Sequence, residues 1–348
     1  MNRCTRCWMP DTRPNSVFID GVCGACRNYD KRTDVNWPAR WDELVQVCRD
    51  AQTAESNSHY DCLIAVSGGK DSYTLVKVMV EDMRMHPLLV TVADPFTRTK
   101  AGEHNLRNLC EKYPHWTHAI SPDLFRRATR AAFEDAGEPL KYIEYAIYTV
   151  PYILAQKFRI PLVIFGENSA YEYGSVEKDF CDVDIGAVVK KIDTEAEWWR
   201  KMGVSRGELA EITPDLQRYR PRIIYMSYFK PWSSVEHLKI AQERGFKTLK
   251  GEWDRKGTCE NFEQIDSVAY MVHLWMKYPK FGFQRAADIA SRRVREGLMS
   301  LDEAKEVMET VDPVLDPRAL KDFCKTLGYT EKEFWEIARK WDKAGVLK

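Results

Sequence analysis

Asp61-Cys-Leu-Ile-Ala-Val-Ser-Gly-Gly-Lys-Asp-Ser-Tyr-Thr-Leu75 is the stretch on which the fold turns. The run from Cys62 to Val66 is short and apolar, as a buried strand is. Ser67-Gly68-Gly69 ends it, and a helical pattern follows over roughly 71–85. Strand, glycine turn and helix together suit an anion. Gly68 and Gly69 let the backbone approach closely because no Cβ intervenes. The free N–H groups of the turn and helix start point outward with the positive end of the helix dipole behind them. Lys70 adds a compact charge, and Ser67 and Ser72 add hydroxyls. Asp71 is placed to orient Lys70 or to hold Mg²⁺. The spacing is neither G-x-x-x-x-G-K-[ST] nor G-x-G-x-x-G.

Outward from this stretch, short apolar runs alternate with helical patterns. Leu88–Ala93, His115–Ile120 and Pro161–Phe165 read as further strands. Helices are expected over 102–113, 123–135 and 141–158, with Pro151 kinking or breaking the last. This alternation predicts an α/β fold with a parallel sheet and crossover helices. Residues 190–258 are harder to read, with a strand near Ile223–Met226 and a helix from Val235 to Gly245. Residues 260–345 read as entirely helical, with capping boxes at Ser300–Glu303 and Thr330–Glu333. The expected division is a small module over 1–33, a helical linker over 34–58, a catalytic domain over 59–258 and a helical region over 259–348.

The 348 residues are 44% hydrophobic and 30% charged, the range of a globular protein. Lys+Arg and Asp+Glu both number 52, which argues against a general binder of nucleic acid. The longest apolar runs are far too short to span a bilayer. The opening Met1-Asn2-Arg3-Cys4 has no apolar stretch, so a cytoplasmic chain is expected. Of ten cysteines, four form the pairs Cys4-x-x-Cys7 and Cys23-x-x-Cys26. That spacing suits tetrahedral zinc, and four protein ligands leave no open position, so the metal reads as structural. An iron–sulfur cluster or redox-active pairs are the other readings.

The order strand, Ser67-Gly-Gly-Lys-Asp-Ser72, helix resembles the PP-loop of the ATP pyrophosphatase family, an adenine nucleotide alpha hydrolase-like fold. The resemblance implies ATP cleavage between the α- and β-phosphates, with AMP transferred to a substrate oxygen. It implies that Asp94, after the second strand, contacts adenine or ribose, and that Gly166-Glu167-Asn168 forms a site-lining loop. Glu167 is then a general base or Mg²⁺ ligand, or alternatively a helix-capping or solvated carboxylate. Asp94 fits a plain turn before Pro95 equally well.

Over nearly its full length the chain resembles the N-acetyl sugar amidotransferases of lipopolysaccharide and nonulosonic acid biosynthesis. The cysteine pairs, the glycine turn, residues 166–168, Trp253–Asn261 and Lys280–Asp288 carry the match. The resemblance implies conversion of a sugar acetamido group into an acetamidino group through an O-adenylyl imidate. A nucleotide-linked or acidic sugar needs cationic anchors, for which Lys256, Lys280 and Arg285 are candidates, as are Asn168, Asp254, Cys259 and Asp288 for other contacts. Each cation also reads as solvated surface, and Cys259 as a small buried residue. No cysteine sits in a glutaminase-type elbow. The resemblance implies a separate glutaminase and a cyclase-like subunit that deliver ammonia. Two rivals remain. A PP-loop tRNA thiolase resembles the first half only, and its catalytic cysteine pairs have no counterpart in Cys62, Cys110 and Cys181. The other is a non-catalytic zinc scaffold, against which the intact loop stands.

Overall fold

Strands that are apolar on both faces need cover on both faces, and that requirement shapes the molecule. The computed structural model describes residues 2–55 and 58–347. Residues 56–57 of the expected linker and Lys348 at the end of the expected helical region lie outside the described residues. A short antiparallel hairpin pairs β1 (Phe18–Ile19) with β2 (Val22–Cys23) in the cysteine module. The main sheet comprises β3 (Cys62–Ala65), β4 (Pro87–Ala93), β5 (His115–Ala119), β6 (Leu162–Phe165) and β7 (Arg222–Tyr225). Its order is β5-β4-β3-β6-β7, and every pairing is parallel. Cys62 lies opposite Pro87 on one side and Leu162 on the other. β3 is thus central, and the direction of winding reverses between β3 and β6. An open α/β sheet forms its ligand crevice at such a point, beyond the carboxyl ends of the strands.

The turn after β3 leads into the helix Lys70–Val76, which continues as a π-helical stretch, Lys77–Asp82. The helix Lys141–Phe158 runs as one element through Pro151, so of the expected kink or break the break does not occur. Pro151 cannot donate to the carbonyl of Ile147. Both residues line the cavity described below, so the proline falls on a face that no neighbouring helix fills.

The final helices share the core of the sheet. Phe96, Phe125, Phe133, Phe323 and Phe334 form a mostly edge-to-face cluster, with Phe133 and Phe323 centroids 5.3 Å apart. A second core joins the cysteine module to the helices Arg285–Arg295 and Leu301–Thr310 through Phe283, Ala287, Ala290, Ala304 and Met308.

One expectation of helix needs correction. Residues 260–269 are not helical; helix resumes at Tyr270. An antiparallel bridge from Ser267 to Arg98 and the amide of Val268 bonded to Thr97 O hold this segment extended beside the end of β4. Tertiary hydrogen bonds override the local helical spacing there. The segment read as obscure contains a long amphipathic helix, Ile185–Lys201, capped by Asp184. Both expected capping boxes are formed, at Ser300–Glu303 and Thr330–Glu333.

Candidate active site and cysteine cluster

The glycine turn is built by local bonds. The Ser67 amide donates to Ser72 Oγ at 3.1 Å, and the Gly69 amide donates to Ser67 Oγ at 3.2 Å. Gly68 has φ +87°, and a Cβ there would come within 2.8 Å of the Leu106 backbone nitrogen. Only glycine fits. Gly69 is under no such demand; it precedes the helix in ordinary extended geometry.

A cavity of about 340 Å³ opens over this turn. Ser67, Gly69, Lys70, Asp71 and Ser72 form its floor, and Asp94, Gly166 and Glu167 stand on its walls. Ile143, Ile147, Pro151, Val90, Val92 and Phe165 give it an apolar end. The opposite wall is polar and comes from elsewhere: Glu263, Gln264, Asp266, Tyr270, Arg285 and Arg292. Gly166 lets Trp232 close the edge, since a Cβ there would sit 3.0 Å from the indole.

The charged groups form one network. Lys70 Nζ donates to Asp71 Oδ2 at 2.9 Å and lies 3.1 Å from Glu263 Oε1. The same Oε1 accepts from Ser234 Oγ at 2.7 Å and from Arg292 Nη2 at 2.5 Å, while Oε2 accepts from Arg285. Arg285 also donates to the Tyr173 hydroxyl at 2.5 Å. Burial alone would strip the charge from Lys70, but Asp71 and Glu263 outweigh it and hold the ammonium above its ordinary range. Burial also opposes the charge on Glu263, and Arg292, Lys70 and Arg285 hold it well below the usual carboxylate range. Three cations therefore converge on one buried carboxylate, at 5% exposure, beside the turn. A buried charge survives only when paired in this way.

Asp71 keeps 40% of its side chain open while Lys70 keeps 4%. Its second oxygen, Oδ1, is held by His237 Nδ1 at 2.6 Å. Glu167 is pushed up by burial, partly offset by Arg292 and Arg285. It caps no helix; Asn168 caps Ser169–Glu172. Asp94 is pushed up to about 6, first by burial and then by Asp266. It also accepts from the Phe96 amide at 2.9 Å, so it is both turn residue and cavity wall.

Several expected substrate contacts lie elsewhere. Asn168 is 4% exposed, bonded to Ser227 and Tyr171. Lys256 and Asp254 pair with each other at 2.5 Å in solvent. Lys280 is bound to Glu138 and the Ala136 carbonyl. Asp288 is buried between Arg13 and Lys277. Cys259 lines a separate depression. Of these candidates only Arg285 reaches the cavity. Other partners hold the rest: Asp254 at short range for Lys256, and distant residues for Asn168, Lys280 and Asp288. Glu263, Gln264, Asp266, Tyr270, Arg292, Trp232 and His237 were missed. Only Arg292 had a local signal: it lies seven residues after Arg285, on the same helical face.

The four cysteines of the module meet as expected. Their sulfurs lie within 4.8 Å of one another, all buried. Cys4 and Cys26 are 3.9 Å apart and Cys7 and Cys23 3.6 Å. Tetrahedral zinc with bonds of about 2.3 Å requires sulfurs about 3.8 Å apart, so the donor set fits one such ion. The module packs on the turn after β6. A Cβ on Gly24 would meet Gly174 O at 2.5 Å, and Asn28 donates to the carbonyls of Tyr171 and Val176. Arg13 reaches Asp288 and lies over the Tyr173 ring at 4.9 Å. Among the described residues, no helix is long and apolar enough to cross a membrane.

Three solved structures are similar to the chain at a low level. NMN synthetase from Francisella tularensis is 14% identical with a TM-score of 0.28, covering 60% of this chain and 93% of its own. NAD+ synthetase from Burkholderia pseudomallei is 16% identical with a TM-score of 0.30, covering 63% and 93%. The U34-tRNA thiolase NcsA from Methanococcus maripaludis, with its [4Fe-4S] cluster, is 11% identical with a TM-score of 0.33, covering 94% and 96%. No curated protein matches the sequence. A family model does: residues 256–345, which supply Arg285, Arg292, Glu263 and Tyr270 to the cavity, match the C-terminal domain of WbpG-like LPS biosynthesis proteins. Residues 256–345 are thus similar to the WbpG-like C-terminal domain of LPS biosynthesis proteins, and they stand against a five-stranded parallel sheet whose central strand ends in the glycine turn.

Proposed function

We propose that the chain is an ATP-dependent amidotransferase of surface-polysaccharide biosynthesis. It would convert an acetamido group on a nucleotide-linked or acidic sugar into an acetamidino group. One observation carries this reading: the cationic wall of the WbpG-like domain, Arg285 and Arg292, faces the glycine turn across a single cavity.

The turn amides, Ser67, Ser72 and Lys70 would grip the triphosphate. The apolar end of the cavity suits a nucleobase, with Asp94 within its wall. Mg²⁺, when bound, neutralises developing phosphate charge; Asp71, with its open carboxylate, and Glu167 are the residues that fit it. Adenylation joins the amide oxygen to the α-phosphorus and expels pyrophosphate. Ammonia then bonds to the imidate carbon, AMP leaves with the oxygen, and the amidine remains. Lys70, Arg285 and Arg292 would stabilise charge on the departing pyrophosphate. Glu167, kept basic yet protonatable by burial, can take a proton from the adding ammonia. A partner glutaminase and a cyclase-like subunit would supply that ammonia. Among the described residues no cysteine lines the cavity, which disfavours thiolation.

The test is incubation of acetamido sugars with the protein, ATP, Mg²⁺ and ammonium, followed by mass spectrometry and nucleotide analysis. Formation of AMP and pyrophosphate, with NH replacing O in the sugar, is expected. ADP and orthophosphate as the only nucleotide products would refute the proposal. Lys70→Ala should cut kcat by about a hundredfold or more.

A further inference from the structure

A second depression lies on the outer side of the polar wall. Leu249, Trp253, Arg255, Cys259, Glu260 and Phe262 line it, and Arg293 closes one side. Phe262 also lines the cavity over the glycine turn. Half-buried Phe262 is thus common to both spaces.

Glu260 sits in this depression with its side chain 2% exposed. Its Oε2 accepts from Arg293 at 3.0 Å, while Oε1 is buried without a hydrogen-bond partner. Leaving such an oxygen bare is costly, and a small N–H donor would satisfy it. The charged groups facing it are Arg255, Arg285, Arg292, Arg293 and Glu263. Guanidinium groups do not give up or accept protons at ordinary pH. Glu263 is held ionised by three cations. Glu252 and Asp254 also line the depression, but Glu252 accepts from the amides of Lys100 and Ala101 and Asp254 pairs with Lys256, which leaves Glu260 Oε1 as the buried carboxylate oxygen there without a hydrogen bond.

We propose that this depression is the entrance for ammonia, that Glu260 Oε1 receives an N–H of ammonium and takes its proton, and that neutral ammonia passes Phe262 into the cavity. The inference rests on the amidotransferase reading. The step balances: ammonium and the Glu260 carboxylate give ammonia and the Glu260 carboxylic acid, and the proton returns to water through the open mouth. Burial, with Glu263, pushes Glu260 up to about 7, which suits reversible protonation. Beyond Glu260 the cavity wall carries Arg285 and Arg292, which disfavour ammonium but not ammonia, so the charged form stops at Glu260. A subunit that feeds ammonia would have to open onto this mouth.

The test compares wild type with Glu260→Gln and Asn261→Trp, using ammonium chloride as the nucleophile. Asn261 is exposed and lines the depression without lining the cavity, so the indole fills the mouth in a folded protein. In both variants KM for ammonium should rise roughly tenfold or more. KM for ATP and for the sugar should stay within about twofold, and pyrophosphate release should outpace amidine formation. Amidine made by both variants with wild-type dependence on ammonium would overturn the entrance and leave the amidotransferase reading intact. Wild type that makes no amidine from any acetamido sugar would overturn that reading, and this inference with it.

Discussion

His237 Nδ1 donates to Asp71 Oδ1 across 2.6 Å, although 166 positions separate the two residues. An ionised carboxylate has no proton to give, so the imidazole must carry it on Nδ1. Burial lowers the His237 pKa despite Asp71, so the ring is neutral at ordinary pH. Asp71 in turn holds Lys70. His237 thus positions the carboxylate that the proposed chemistry uses, without lining the cavity itself.

His237→Ala should free Asp71 to rotate and lower kcat by about tenfold to a hundredfold, the usual cost of losing such a support. KM for the sugar should change little. His237→Gln, which restores an N–H donor, should recover part of the loss. Steady-state kinetics with ATP and sugar varied separately would show the split. Equal loss in both variants would mean that His237 is only a packing residue.

Asp94 gives a pH signature. Its folded-state pKa, about 6, is above that of an unfolded aspartate near 3.8. The folded chain therefore holds a proton that the unfolded chain has released between these values. The contribution of Asp94 to stability is fully present below the lower value and is lost as pH rises through about 6. Asp94→Asn should raise Tm at pH 8 relative to wild type, and the gain should vanish near the lower value. Thermal melts across this range would check it.

A metal held by the four cysteines would brace the cavity, and its removal should be felt there. The module's core is shared with the helix that carries Arg285 and Arg292, and Arg13 bonds Asp288 on that helix. Chelator treatment, or Cys26→Ser, should lower Tm and raise KM for ATP together. Arg13→Ala leaves Asp288 with Lys277 alone and should cost about 3 kcal/mol of stability, read by urea unfolding. An unchanged melt after verified metal removal would contradict this coupling.

Phe323 is fully buried among Phe96, Phe133, Tyr329 and Phe334. Phe323→Ala should destabilise the whole chain by about 3–5 kcal/mol. One unfolding transition is expected, because the final helices and the sheet share this core. Two separate transitions would show that the C-terminal helices melt independently.

The sequence by itself determined the features that live at short range. The glycine turn needs a strand before it and a helix after it, and Ser67 to Ser72 encode both. Gly68 is fixed by its own backbone angle and by the close approach of Leu106. Two Cys-x-x-Cys turns carry their ligand geometry locally, so the cysteine cluster was legible. The alternation of apolar runs and helices implied the parallel sheet. Only the tertiary structure decided which side chains oppose the turn. His237 reaches Asp71 from 166 positions away and Glu263 reaches Lys70 from 193, with Arg285 and Arg292 further along the chain, from segments whose spacing suggested plain helix. Lys256 and Lys280 looked equally good as anchors, but Asp254 and Glu138 pair with them outside the cavity. Charge and residue type are written in the chain, whereas the partner that uses a charge is chosen by packing, which brings distant segments together.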